Sequence, residues 1–122
     1  MSFESVLQAI VEECPGALGA ALMGGDGIPI AQVMASGASE DADELSVLGV
    51  EFGRILDEAR KAGDAAGAGA ALELSVRTER FHVVLQTLDP ETYLVLALAP
   101  HGNVGKGRYL MRRHQLALRE EL

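Results

Sequence analysis

The segment Ala17-Leu18-Gly19-Ala20-Ala21-Leu22-Met23-Gly24-Gly25-Asp26-Gly27-Ile28-Pro29-Ile30-Ala31 constrains this chain more than any other. Two apolar runs flank a knot of turn residues, which is the composition of a tight hairpin. Gly24, Gly25 and Gly27 are expected to supply the positive φ angles of the turn, with Asp26-Gly27 as its strongest signal. A helical segment precedes the hairpin and a much longer one follows. That order narrows the fold class early.

Ser2 is placed to cap the first helix, where Phe3, Val6, Leu7, Ile10, Val11 and Cys14 recur at helical spacing as one apolar stripe. Pro15-Gly16 stops it. Ile28, Ile30 and Val33 fall in the second strand, and Met34 to Ser39 is a connector. Glu40, Asp41, Asp43 and Glu44 then crowd the start of helix 2, where carboxylates oppose the positive end of the helix dipole. Leu45, Leu48, Phe52, Ile55, Leu56 and Ala59 share one arc of that helix, and Arg54–Glu58 and Asp57–Lys61 are candidate i,i+4 ion pairs. Gly49 and Gly53 line one flank of the arc. They fit either close packing on the sheet or close approach of a second helix across a dimer interface.

Gly63 to Gly69 reads as a loop. Ala71 to Thr78 alternates, with Leu72, Leu74 and Val76 on one side and Glu73, Ser75 and Arg77 on the other, as in an edge strand with a wet face. Phe81 to Leu88 and Tyr93 to Ala99 are more continuously apolar, as strands covered on both faces are, and Asp89-Pro90-Glu91-Thr92 turns between them. The last helix starts near Asn103, with Val104, Gly107, Leu110, Met111, His114, Ala117 and Leu118 on its apolar side and Arg108, Arg112, Gln115 and Arg119 as a polar stripe. The order is α-β-β-α-β-β-β-α, an α+β fold with a mostly antiparallel sheet between helix layers.

Composition excludes several function classes. The chain has 122 residues and a net charge of −8. Residues 1–64 hold 12 acidic and 3 basic groups, whereas residues 65–122 hold 6 and 7. An acidic half of this kind lacks the basic footprint of a nucleic-acid binder. Cys14 is the single cysteine, so no internal disulfide forms, which suits a reducing cytoplasm. The first residues lack the features of a signal peptide, and runs such as Tyr93 to Ala99 fall short of the ~20 apolar residues of a membrane span.

No set of catalytic groups is visible. Gly102-Asn103-Val104-Gly105-Lys106-Gly107 invites a phosphate-loop reading, but Pro100 stands where the first glycine belongs and Gly107 replaces the hydroxyl residue that would ligate magnesium. Asn103 reads better as a helix cap, and Gly105 and Gly107 as close-packing positions. His82, His101 and His114 have no His or Cys at ligand spacing, so no metal site and no cofactor is expected. No Gly-x-Ser-x-Gly elbow marks a nucleophilic serine, and Cys14 reads as a buried thiol. Asp26 is first a turn former, with a binding role as the second reading. Arg108, Arg112 and Arg119 form either a solvated helix face or a docking surface for acidic partners.

Taken in order, Gly16 to Ala31 around Asp26-Gly27, the long second helix, the alternating strand Leu72 to Val76, and Tyr93-Leu94-Val95-Leu96 leading into Asn103-x-Gly105-x-x-Arg108-Tyr109 resemble the Roadblock/dynein light chain family over nearly the whole chain. Met1-Ser2-Phe3 and Gly105 to Tyr109 look most like a bacterial polarity branch of it. The resemblance implies one Roadblock domain over residues 1–122, a five-stranded antiparallel sheet between helix 2 and helices 1 and 3, and a non-catalytic homodimer. The implied dimer pairs strand 3 edge to edge and packs helix 2 on its mate, through Leu45, Gly49, Phe52, Gly53, Leu56, Leu72, Leu74 and Val76. The implied role is that of a cytoplasmic adaptor acting at the cell poles. It would bind an MglB-like Roadblock activator and so regulate a Ras-like, MglA-like small GTPase in polarity and gliding motility. A polarity response regulator is a further candidate partner. Gly25, Asp26 and Ile28 at the hairpin tip are the first choice of docking surface, with Arg108, Arg112 and Arg119 next. A direct MglB-like activator of the GTPase is the alternative, disfavoured because the chain ends just after helix 3. A small-molecule sensor is the third reading and would need a pocket of converging polar groups.

Overall fold

The computed structural model describes residues 2–122, so Met1 of the opening Met1-Ser2-Phe3 lies outside the described residues. Its elements are α1 (Phe3–Glu13), β1 (Ala17–Gly24), β2 (Pro29–Met34), a short 3-10 turn (Ser39–Asp41), α2 (Ala42–Ala65), β3 (Glu73–Arg77), β4 (His82–Asp89), β5 (Thr92–Leu98) and α3 (Val104–Glu121). The strands form one antiparallel sheet in the order β2-β1-β5-β4-β3. The expected α+β order and sheet are present.

Two caps start the outer helices. The Ser2 hydroxyl accepts the Ser5 N–H at 3.1 Å, and the Asn103 carboxamide oxygen accepts the Lys106 N–H at 3.0 Å. Each satisfies an orphan donor of a first turn. The strands then distribute their side chains with period two. Leu94, Leu96 and Leu98 of β5 join Leu7 and Ile10 of α1 and Leu110, Met111 and Leu118 of α3. Tyr93, Val95 and Ala97 point the other way, to Leu45 and Leu56 of α2. Each sheet face therefore carries its own apolar layer.

Glycines set the closest approaches. A Cβ at Gly107 would come within 2.7 Å of Leu96 Cδ2 and 3.3 Å of Cys14 Sγ, so α3 rests directly on the sheet there. Gly105 meets only Asn103 Oδ1, at 3.7 Å, and is not such a position. On α2, a Cβ at Gly49 would touch Met23 at 3.6 Å, and one at Gly53 would collide with the Tyr93 ring and hydroxyl. The sheet-packing reading of these two glycines therefore holds. They face the chain's own sheet, and a second helix is not what they admit.

Several expectations need correction. In the hairpin only Gly27 has a positive φ, +83°. Gly24 and Gly25 sit in crowded places instead: a Cβ would stand 2.8 Å from the Asp26 carboxylate at Gly24 and 3.3 Å from the Glu91 carbonyl at Gly25. Helix α2 runs on through Gly63 and Asp64 to Ala65, shortening the expected loop. Arg54 turns to Glu51 at 3.7 Å rather than to Glu58, while Lys61 meets Asp57 at 3.2 Å and Glu58 at 3.6 Å. These pairs are solvent-exposed and screened, so they add little to stability. The Glu79-Arg80 turn works without glycine because Thr78 Oγ1 accepts the Phe81 N–H at 3.0 Å.

The Tyr93 hydroxyl donates to the Gly49 carbonyl at 2.9 Å in the space that Gly53 leaves open. Gly53→Ala would push the ring aside. Overpacking and the lost hydrogen bond together outweigh the ~1 kcal/mol helix-propensity gain by about 1–3 kcal/mol. Thermal unfolding is expected to show that loss, with Tyr93→Phe in the same chain recovering part of it. Additive losses in the double variant would mean that the two residues do not share the space.

Candidate interaction surfaces

The hairpin tip is held by a dense set of short-range bonds. Asp26 Oδ1 accepts the Ile28 N–H at 3.0 Å, Gly24 donates to the Ile28 carbonyl at 3.0 Å, and Gly27 donates to Gly24 at 2.9 Å. Gly25 donates across to the Glu91 carbonyl at 2.6 Å, which fastens the tip to the β4–β5 turn. That turn is itself stapled, because Asp89 Oδ1 accepts from the Glu91 N–H at 2.8 Å and the Thr92 hydroxyl at 2.9 Å. The tip, the turn and the second half of α2 enclose an open groove of about 700 Å³. Ile28 is 63% exposed and Ile30 42%, so apolar surface stands at its rim beside the Asp26 charge. Arg54, Asp57 and Arg60 line the α2 side, and Arg60 Nη1 donates to the Pro90 carbonyl at 3.1 Å. Burial, and secondarily the Asp26 charge, push the Tyr93 phenol above its ordinary pKa. The structure thus brings Gly25, Asp26 and Ile28 together as expected. Sequence reasoning overlooked Arg60, although its three-residue spacing from Asp57 and seven-residue spacing from Gly53 place all three on one helical face.

The arginine stripe of α3 is committed elsewhere. Arg108 Nε donates to Glu73 Oε1 at 3.1 Å, and its Nη2 closes the second half of the fork on Oε2. Arg112 stands 3.9 Å from the same carboxylate. Buried Gln86 donates to Glu73 at 2.8 Å and accepts from Gln115 at 2.8 Å. Arg119 Nε donates to the Leu88 carbonyl at 2.8 Å and its Nη2 to Gln115 at 2.9 Å. Arg108 and Arg119 therefore tie α3 to β3 and β4, whereas Arg112 is 63% exposed and only approaches Glu73. Sequence spacing does not reveal that Glu73 lies beneath the stripe.

The third surface joins the β3 edge to the outside of α2. β3 pairs with β4 alone. Beside it Leu72 is 73% exposed, Val47 60% and Ile55 48%. Val47, Leu48 and Phe81 line an apolar recess of about 590 Å³ at the β3–β4 turn. Of the residues expected at a dimer seam, Leu45, Gly49 and Leu56 are buried in the chain's own core and Gly53 abuts Tyr93. Phe52, Leu74 and Val76 are half-buried and Leu72 is open. The apolar surface α2 leaves uncovered centres on Val47 and Ile55.

The protein is similar to solved structures along essentially its whole length. It is 35% identical to MglC from Myxococcus xanthus, covering 100% of both chains with a TM-score of 0.71. The chain belongs to the Roadblock/LC7 family. The same fold is shared by a Roadblock/LC7 domain from Streptomyces avermitilis (16% identity, 98% and 97% of the two chains, TM-score 0.83) and by MglB in a tetrameric arrangement (22% identity, 97% and 88%, TM-score 0.83). A scan of family models gives no match, and no curated protein matches.

Elsewhere in this Roadblock chain two titratable groups, Cys14 and His82, are held in local contacts. Cys14 is 3% exposed with its Sγ 3.5 Å from the Asn103 carbonyl, and burial pushes the thiol up, opposite to an activated nucleophile. His82 Nε2 lies 2.7 Å from the Ser75 hydroxyl, and burial followed by the Arg77 and Arg108 charges lowers its pKa. Among the described residues no group of three His, Cys, Asp or Glu is placed to hold a metal, and no helix is long and apolar enough to cross a membrane.

Glu73 gives a pH prediction. Burial opposes its charge, but hydrogen bonds from Arg108 and Gln86 and the two guanidinium charges outweigh that and hold the carboxyl below the usual glutamate value. Its stabilisation is therefore complete above the unfolded pKa and is lost as pH falls through the folded one. Because Arg108 is 41% exposed, solvent screening limits the loss in Glu73→Gln to about 1 kcal/mol at neutral pH. Urea unfolding across the acid range should show wild type and Glu73→Gln converging as pH falls through the folded-state pKa of Glu73, below the ordinary glutamate range. A constant gap would assign the effect to packing.

Proposed function

We propose that this chain is a non-catalytic, homodimeric Roadblock adaptor, one domain over residues 1–122. In this reading it binds an MglB-like Roadblock activator through the hairpin tip and so regulates a Ras-like, MglA-like GTPase in cell polarity and motility, in the cytoplasm and at the poles. The observation that carries the reading is the rigidly held tip, where Asp26 and Ile28 stand exposed beside a groove with charges of both signs. A preorganised tip with an apolar anchor next to a charge suits recognition of another folded protein. Whole-length similarity to MglC, and the tetrameric arrangement of MglB, support partnering between Roadblock chains. The open β3 edge with Val47, Ile55 and Leu72 beside it supports self-association, since an exposed edge needs cover.

Size exclusion with light scattering of this protein mixed with the activator and the GTPase of the same organism tests the reading. A complex with the activator alone is expected. A complex formed only with the GTP-bound GTPase would overturn the adaptor role. Asp26→Asn with Ile28→Ala keeps the turn-forming carboxamide oxygen but removes the charge and the anchor. That double variant is expected to weaken activator binding at least ~100-fold while the dimer mass stays unchanged. Unchanged affinity of the folded variant would move the docking site off the hairpin.

A further inference from the structure

We propose that the outer face of α3 is a docking seam for an acidic amphipathic helix of a partner protein. The seam is separate from the hairpin groove and does not depend on it. The groove is lined by α2, and α3 lies on the opposite face of the sheet, so the two surfaces can be occupied at once.

Helix α3 turns one side to the core through Gly107, Leu110, Met111 and Leu118. Gly105, Tyr109 and Leu116 fall on the opposite side, in one line nearly along the helix axis. All three are exposed, Tyr109 and Leu116 each by more than half. Gly105 is the informative member. Its φ is not positive, and a Cβ there would meet only Asn103 Oδ1, at 3.7 Å. Neither the backbone conformation nor the chain's own packing calls for glycine at this position, and glycine weakens a helix. A bare backbone on an outward face admits the close approach of another element. Tyr109 and Leu116, about one and three turns farther on, then supply the apolar contacts.

Charge names the occupant. Residues 104–119 hold five basic groups and no acidic one, whereas the rest of the chain holds five basic and 18 acidic. Arg108 and Arg119 are engaged within the fold. Lys106 and Arg113 have no ion-pair partner among the described residues, and Arg112 stands 3.9 Å from a carboxylate that Arg108 already grips. Arg112 and Arg113 lie on either flank of the line between Tyr109 and Leu116, with charge to offer an acidic partner. A second copy of α3 would set arginines against arginines. A membrane or other extended polyanion would reach past the seam onto Glu120 and onto α1, which packs alongside and carries Glu4, Glu12 and Glu13 with no basic residue. A single helix, about 10 Å across, stays within the strip. Aliphatic side chains against Tyr109 and Leu116, with Asp or Glu on both flanks, complement it.

NMR titration of the whole chain with three synthetic helical peptides tests the seam. The first carries leucines along one line flanked by glutamates. The second has the same residues with the leucines spread around the helix, and the third has lysines in place of the glutamates. Only the first is expected to bind saturably, to shift the amides of Gly105, Tyr109 and Leu116, and to weaken as salt rises. Arg112→Glu with Arg113→Glu is expected to weaken it at least ~10-fold. Gly105→Gln is expected to weaken it too, while raising the melting temperature. All three positions are exposed, so these variants keep the fold. Asp26→Asn with Ile28→Ala is expected to leave peptide affinity unchanged, which keeps this seam distinct from the hairpin. Equal binding of the second peptide, shifts confined to other elements, or no binding at millimolar peptide would overturn the proposal. Binding of phosphatidylglycerol vesicles in place of the first peptide would overturn it in favour of a membrane surface.

Discussion

β5 is the strand on which the molecule depends. All seven of its residues are buried, at the middle of the sheet and covered on both faces. A strand with no wet side demands a helix layer above and below, and the chain supplies α1 and α3 on one face and α2 on the other. The layers approach only as far as side chains allow. Gly107 lets α3 sit against Leu96, and Gly53 lets α2 sit against Tyr93. Helix propensity lost at such glycines is offset by the closer packing of helix on sheet beneath them.

Covering both faces leaves the sheet edges, the hairpin tips and the outer faces of the helices for partners, and the two edges are treated differently. β2 begins with Pro29, which offers no N–H, and Gln32 ties it to the start of α2 by donating to the Ala42 carbonyl at 3.0 Å and accepting the Ser46 hydroxyl at 2.8 Å. These are devices that discourage edge-to-edge growth. β3 has no proline, sits beside apolar residues of α2, and carries its charges at its ends. One edge is protected and the other is left open.

What the sequence makes legible is what short-range physics controls. The stripe Val6, Leu7, Ile10 and Val11, the caps Ser2 and Asn103, the Asp26 turn and the alternation of β3 all follow from periodicity or local hydrogen bonding. Contacts between distant segments are harder to see. Glu73 lies 35 positions from Arg108, so the arginines look unpartnered along the chain. Gly49 and Gly53 announce close approach but not to what, and only the fold shows Met23 and Tyr93 beneath them. In the hairpin, composition points correctly to the turn, but three glycines arise for two reasons: positive φ at Gly27 and crowding by Asp26 and Glu91 at the others.

The bond from Gly25 to Glu91 joins two turns far apart in the sequence into one mechanical body. The loop that a partner would touch is thus not free to sample shapes of its own; its position is inherited from the β4–β5 turn and, through it, from the buried central strand. Encounter at this tip is a matter of orientation more than of ordering, and little conformational entropy remains to be lost there on contact. Any plasticity needed to make the joint must come from the other molecule.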